Sequence, residues 1–149
     1  NDYSFSYPTK MKVLAGGFDV NNPENKNNIH IFSLEGADAF KEPPADISVI
    51  ANSKLSLEEE ARKNLNANTS NPDAPVQVIE TLHQGVFTGR KSYEFSLRGK
   101  GFQGVLEGYS GYEGIYKVVW IEYNKKYFML TWTDTSEFDQ ILSTFKFTE

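Results

Sequence analysis

Two β-prone runs close to the end of the chain constrain the fold more than any other segment. Residues 116–123 (YKVVWIEY) and 127–132 (YFMLTW) are separated by only three polar residues, as in a β-hairpin. With the turn at 124–125, the register pairs Ile121 with Phe128, and both faces of the hairpin are largely apolar. A strand pair that is apolar on both faces is typical of the middle of a sheet that is covered on each side.

Two helices are predicted to pack on this sheet. Residues 133–147 predict one short amphipathic helix that closes on an aromatic tail, with apolar side chains at helical spacing: Phe138, Ile141, Leu142 and Phe145. Ser56 and Glu59 match the S-x-x-E capping box, so another helix begins at Ser56. With about seven strands from alternating apolar residues, the predicted fold class is α+β, a central antiparallel sheet flanked by helices.

The first residues of the chain also alternate. Tyr3, Phe5 and Tyr7 are separated by single polar residues, which predicts a half-buried strand that ends at Pro8. From Val76 onward the chain is predicted to be β as far as the final hairpin.

The composition narrows the range of functions. The 149 residues, 39% hydrophobic, are enough for one domain with a real core, here 1–149. The net charge of −5 opposes binding to phosphate backbones. The closest basic grouping flanks a single strand at its two ends: Arg90, Lys91, Arg98 and Lys100. This spread does not suit a phosphate-tracking groove, so we expect no nucleic-acid partner.

No catalytic motif is evident. The string G-x-G-x-x-G occurs at 99–104, but the glycines that follow prevent the helix that a dinucleotide site needs, so turns and bulges are predicted instead. His30 and His83, the only imidazoles, each lie in a β run, and a structural or surface role is predicted for both. We therefore predict a protein that is not an enzyme; a hydrolase with an unrecognised acid/His site is a further alternative.

Oxygen-bearing side chains cluster in the asparagine-rich loop 19–28. The donors are of the kind that Ca²⁺ takes: Asp19, Asn21, Asn22 and Glu24. The EF-hand spacing fails because Pro23 occupies a ligand position, so a solvated turn is predicted and Ca²⁺ binding stays open. With no cysteine and two scattered histidines, we expect no metal site and no cofactor.

The glycine-rich region 99–116 carries the candidate ligand-binding residues. Tyr109, Tyr112 and Tyr116 can form a stacking platform for a small ligand or a carbohydrate. Tyrosines of the core or of the hairpin are the alternative, and the sequence leaves both open.

Three stretches together resemble the PsbP-like superfamily, which includes PsbP and the Ran-binding Mog proteins. They are the opening Phe5-Ser6-Tyr7-Pro8, the strand and acidic helix at 46–65 (DISVIANSKLSLEEEARKNL), and the ending FDQILSTFKF at 138–147 after the apolar hairpin. The resemblance implies an antiparallel sheet in α/β/α layers and a non-catalytic accessory or binding role. In the bacterial branch it implies an exported and often lipid-anchored protein.

The leading prediction is an extracytoplasmic accessory or adaptor domain, periplasmic or at the cell surface, that binds a protein partner through a sheet edge or loop. The alternative is a small-ligand or carbohydrate-binding domain that uses the aromatic residues of region 99–116. Because the sequence begins at Asn1 and not at Met, we expect a processed or truncated product, from which any signal peptide or lipid-bearing cysteine would already be gone. Membrane association is then expected only through that removed anchor.

Overall fold

The structure is a computed structural model. It describes residues 3–7, 9, 11–15, 29–33, 45–51, 53–70, 72, 75–101, 112–133 and 136–148. Within these residues there are nine strands: β1 Tyr3–Ser4, β2 Met11–Ala15, β3 Ile29–Ser33, β4 Ala45–Ala51, β5 Val76–Phe87, β6 Arg90–Gly101, β7 Tyr112–Tyr123, β8 Lys126–Thr133 and β9 Lys146–Phe147. The two helices there are α1 Leu57–Thr69 and α2 Ser136–Ser143.

In the described part of the chain, seven strands form one antiparallel sheet in the order β2-β3-β4-β8-β7-β6-β5. Strands β1 and β9 form a separate two-stranded ribbon. Helix α1 packs on one face of the large sheet and α2 on the other. The predicted α+β class, with helices flanking an antiparallel sheet, is confirmed.

The final hairpin has the predicted register. Ile121 lies opposite Phe128, and Tyr123 lies opposite Lys126. The turn residues Asn124 and Lys125 have φ angles of 49° and 61°, as a two-residue type I′ turn requires. Because β8 also pairs with β4 and β7 with β6, the hairpin lies in the middle of the sheet.

Each face of the sheet carries its own core, and the hairpin contributes to both. The buried residues of the α1 face are Leu57, Ala61, Phe95, Leu97, Tyr116, Val118 and Trp120. Those of the α2 face are Met11, Ile47, Val119, Ile121, Tyr123, Phe128, Leu130, Trp132, Ile141, Leu142 and Phe145. Successive residues of β7 thus alternate between the two cores, as the period of a strand dictates.

Helix α1 begins at the predicted capping box. The Ser56 hydroxyl accepts from the Glu59 N–H at 3.3 Å, and the Glu59 carboxylate accepts from the Ser56 N–H at 2.7 Å. Both contacts satisfy donors that the first turn of a helix leaves unpaired. Leu57 and Ala61 are buried, so the apolar stripe of the helix faces the sheet.

The second helix is shorter than predicted and ends at Ser143. The N–H groups of Thr144 and Phe145 bond to carbonyls only three residues back, which tightens and closes the last turn. The chain then extends and pairs as β9 with β1, which is itself only two residues long. The N-terminal strand predicted over residues 3–7 therefore joins the chain's other end and not the large sheet.

An aromatic cluster fixes this ribbon on the α2 face. Phe145 is 3% exposed, and its ring centroid lies 5.2 Å from Tyr3, 5.2 Å from Phe147 and 6.0 Å from Phe87. Tyr3 also meets Phe128 edge-on at 5.7 Å. These rings connect both chain ends to the hairpin core.

The β5–β6 hairpin closes on a strained turn. Its two central residues are Thr88 and Gly89, with φ angles of 51° and 75°. Glycine tolerates this left-handed backbone, whereas a β-branched residue there is an outlier.

Replacing Phe145 with alanine is expected to lower the free energy of unfolding by about 3–5 kcal/mol, because the ring is buried among other rings. Chemical denaturation measures the change. Gln140→Ala, at an exposed position of α2, is the control and should cost under about 0.5 kcal/mol. A cost for Phe145→Ala as small as that of the control would show that the tail does not dock.

Replacing Thr88 with asparagine is expected to raise the free energy of unfolding by about 1 kcal/mol, because asparagine tolerates the left-handed region better than threonine. Thr81→Asn, an exposed position inside β5, serves as the control and should not stabilise, since asparagine is disfavoured in strands. The same denaturation assay compares the two variants, and destabilisation by Thr88→Asn would contradict the assigned turn.

Candidate functional site

Of the three candidate tyrosines, the structure describes the side-chain environment of Tyr116 alone. Tyr116 is 6% exposed and belongs to the core on the α1 face, the alternative that the sequence left open. Tyr112 is the first residue of β7, where it pairs with Gly101. Tyr109 lies outside the described residues. Tyr116 therefore offers no free ring, and ligand binding by Tyr109 and Tyr112 stays a prediction.

The other sequence candidates have separate positions. Gly99 and Gly101 of the G-x-G-x-x-G string lie within β6, and a Cβ on Gly99 would come within 2.8 Å of the Val76 side chain. His83 is exposed on β5, and its Nδ1 lies 2.9 Å from the Thr81 carbonyl oxygen. His30 belongs to β3, and loop 19–28 lies outside the described residues. Over the ranges that the structure describes, no three His, Asp or Glu side chains gather as a metal site.

Strand β5 presents the most exposed apolar side chains of the sheet. It is the last strand of the order and pairs with β6 alone among the described strands. Val86 is 74% exposed, Ile79 40% and Val78 37%. A sheet edge with exposed apolar residues is a template for pairing with another chain.

Only part of this edge is regular. The register of β5 against β6 shifts between Val78 and Glu80 and again between Glu80 and His83. Such bulges twist an edge and oppose indiscriminate pairing. From His83 to Phe87 the ladder is continuous, so this short segment is the usable part of the edge.

The hairpin geometry decides which backbone groups of that segment are free. Phe87 and Arg90 flank the two-residue turn and form a hydrogen-bonded pair. Because bonded and non-bonded pairs alternate along an antiparallel ladder, Gly85 also bonds inward to β6. The N–H and C=O groups of Gln84 and Val86 then point away from the sheet. We call this segment, residues 84–86, the β5 edge.

Two cations lie beside the β5 edge. Lys91 is the cross-strand partner of Val86, and its Nζ lies 4.8 Å from the Tyr93 ring centroid. The Arg90 guanidinium lies 4.7 Å from the Tyr123 ring. Cation–π contacts hold both groups in place, and neither forms an ion pair with a carboxylate of the described residues.

An open groove of about 730 Å³ continues from these cations along the α1 face. It runs between the first turn of α1 and the two hairpin turns, with Tyr93 and Glu122 among its lining. Arg62 donates to the Glu58 carboxylate at 2.9 Å, and this bond holds the pKa of Glu58 below its usual value. The groove is therefore lined by charged and polar groups, and its Glu58 already forms an ion pair with Arg62.

Burial raises the pKa of the Tyr116 phenol above its ordinary value of 10.0. The folded state thus favours the protonated phenol, so this contribution to stability is complete below about pH 10 and is lost as the pH rises through the folded-state pKa. We expect the free energy of unfolding to fall above pH 10 and to fall less in Tyr116→Phe. Tyr7→Phe, at an exposed position, should keep the wild-type profile. Identical profiles for all three proteins would contradict the burial of Tyr116.

The chain was also compared with known proteins. No family model matches it, and no curated protein sequence does. Among solved structures, it matches the solution structure of cyanobacterial PsbP (CyanoP) from Synechocystis sp. PCC 6803, with a TM-score of 0.61 and 14% sequence identity. The match covers 99% of this chain and 87% of that chain. At this identity the likeness concerns the fold alone, and the fold of the chain is PsbP-like, as its ending predicts.

Proposed function

We propose that the protein is a non-catalytic, extracytoplasmic accessory or adaptor domain that binds a protein partner through the β5 edge. The observation that carries this proposal is the 74% exposure of Val86 on a regular stretch of sheet edge to which no described strand pairs. Edge strands normally protect such positions with charge, proline or a bulge. In β5 the bulges end at His83, and the apolar Val86 beyond them is exposed on the regular part of the strand.

The accessory role and the compartment depend on likeness to PsbP. The matched solved structure is a cyanobacterial PsbP, and the PsbP-like superfamily implies partner binding and export. A lipid anchor upstream of Asn1 and a single domain over 1–149 belong to the same proposal. In the described part of the chain, neither helix is long and apolar enough to cross a membrane.

The chemistry beside the edge supports binding more than catalysis. Lys91 and Arg90 rest on aromatic rings, and Glu58 is paired with Arg62. The two cations are held in fixed positions by the rings beneath them, so they can bind a partner surface of opposite charge. Ligand binding through the tyrosines is the weaker alternative, because Tyr116 is buried and only Tyr109 and Tyr112 are left for it.

A photo-crosslinking amino acid placed at Val86 is expected to capture a protein of discrete mass in cells that make this protein naturally. The control carries the same amino acid at Lys63 on α1, whose side chain is 70% exposed and so similarly accessible. Denaturing gels followed by mass spectrometry identify the adducts. Equal labelling from both positions, or none from Val86, would remove the β5 edge as the binding surface.

A further inference from the structure

We infer that the β5 edge binds an extended acidic segment of the protein partner. The segment adds as a further strand beside β5, with an apolar side chain against Val86 and a carboxylate near Lys91. This inference rests on the proposed function and deepens it, because it names the chemistry of the partner. It follows from the backbone, the side chains and the charges of residues 84–91.

The backbone of the β5 edge can bond to one short strand. Gln84 and Val86 each direct one N–H and one C=O outward, which gives two donors and two acceptors. Both residues are exposed, so the described residues leave the segment uncovered. A partner strand of about five residues satisfies these four groups by β-augmentation.

The side chains add an apolar contact on one face. Val86 and Gln84 lie opposite Lys91 and Tyr93, so all four share the α1 face of the sheet. In an added strand, the residue opposite Val86 would have its Cβ about 5 Å away. An aliphatic residue there would cover the valine that the protein leaves 74% exposed.

The charges select the sign of the partner. Lys91 lies on the α1 face, and its neighbour Arg90 lies on the α2 face over Tyr123 and Phe147. Adjacent residues of an added strand also point to opposite faces, so neighbouring carboxylates could meet both cations. Three described carboxylates lie near these cations. Glu58 accepts from Arg62 and also interacts with the charge of Lys91, Glu94 accepts from the Ser92 hydroxyl beside Gly85, and Glu122 is exposed in the groove. A lysine-rich segment would place its cations against Lys91 and Arg90, neither of which forms an ion pair within the described residues.

A second copy of this chain fits the edge less well. Its own β5 has no acidic residue between 84 and 87, and its one carboxylate, on Glu80, accepts from Ser96 at 2.5 Å. The bulges at 78–83 would also interrupt a longer self-ladder. A second β5 would bring no free carboxylate to Lys91 or Arg90, so we take the occupant to be a different protein.

Two synthetic peptides test the inference on the isotope-labelled protein: acetyl-DVTVD-amide and its matched control acetyl-KVTVK-amide. We expect the acidic peptide to shift the backbone amide resonances of Gln84 and Val86, and to bind at least about fivefold more tightly than the basic one. Lys91→Glu should remove this preference. Lys125→Glu, in the other hairpin turn, should leave it unchanged.

A backbone variant separates strand addition from simple charge attraction. In Val86→Pro the outward N–H is lost while the ladder to β6 is spared, so the peptide-induced shift of the Gln84 amide, which this variant keeps, should disappear. Val86→Thr keeps the N–H and should retain binding. Thermal melting checks that each variant is folded. If the proline variant is not, the wild-type shifts decide the question, because strand addition requires shifts at Gln84 and Val86 whereas charge attraction alone would shift residues 90 and 91.

Three outcomes would overturn the inference. Equal binding of the two peptides would refute the acidic chemistry, and if Val86 still crosslinks to a protein the proposed function stands. Shifts confined to residues outside β5 would refute the location. A concentration-dependent dimer in light scattering that is lost in Val86→Pro would identify a second copy as the occupant.

Discussion

The β7–β8 hairpin supplies side chains to both cores, so the packing of both helices depends on its register. Ile121 and Phe128 face each other on the α2 face, while Trp120 and Met129 face each other on the α1 face. A slip of one residue would exchange the two sets and misplace both helices. The left-handed turn at 124–125 opposes such a slip, because its two-residue geometry allows one pairing.

The features that the sequence predicts well are those set by near neighbours. The hairpin register follows from a two-residue turn between alternating runs, and the start of α1 follows from Ser56 and Glu59. The β1–β9 ribbon was not predicted, because its partners come from opposite ends of the chain and pair over only two residues. No local pattern signals such a pairing.

The candidate site was harder to predict for a related reason. An edge strand and a central strand share the same β-prone residues, and only the strand order, in which β8 lies between β4 and β7, places β5 at the end. The sequence leaves two positions open for Tyr116, a ligand platform or the core, because glycines precede it. Gly114 pairs with Gly99 inside the ladder, so β7 begins at Tyr112 and carries Tyr116 into the core.

The two cores also differ in when they can be completed during synthesis. Among the described residues, the buried members of the α1 core lie between Leu57 and Trp120, and the partly buried Tyr127 and Met129 of β8 pack against them. The α2 core also needs Ile141 and Phe145 from the last segment made. The ribbon that joins Tyr3 to Phe147 closes a loop of nearly the whole chain, the costliest kind of contact to form early. During synthesis the chain can therefore bury the α1 face of its sheet before the residues that complete the α2 face have been made.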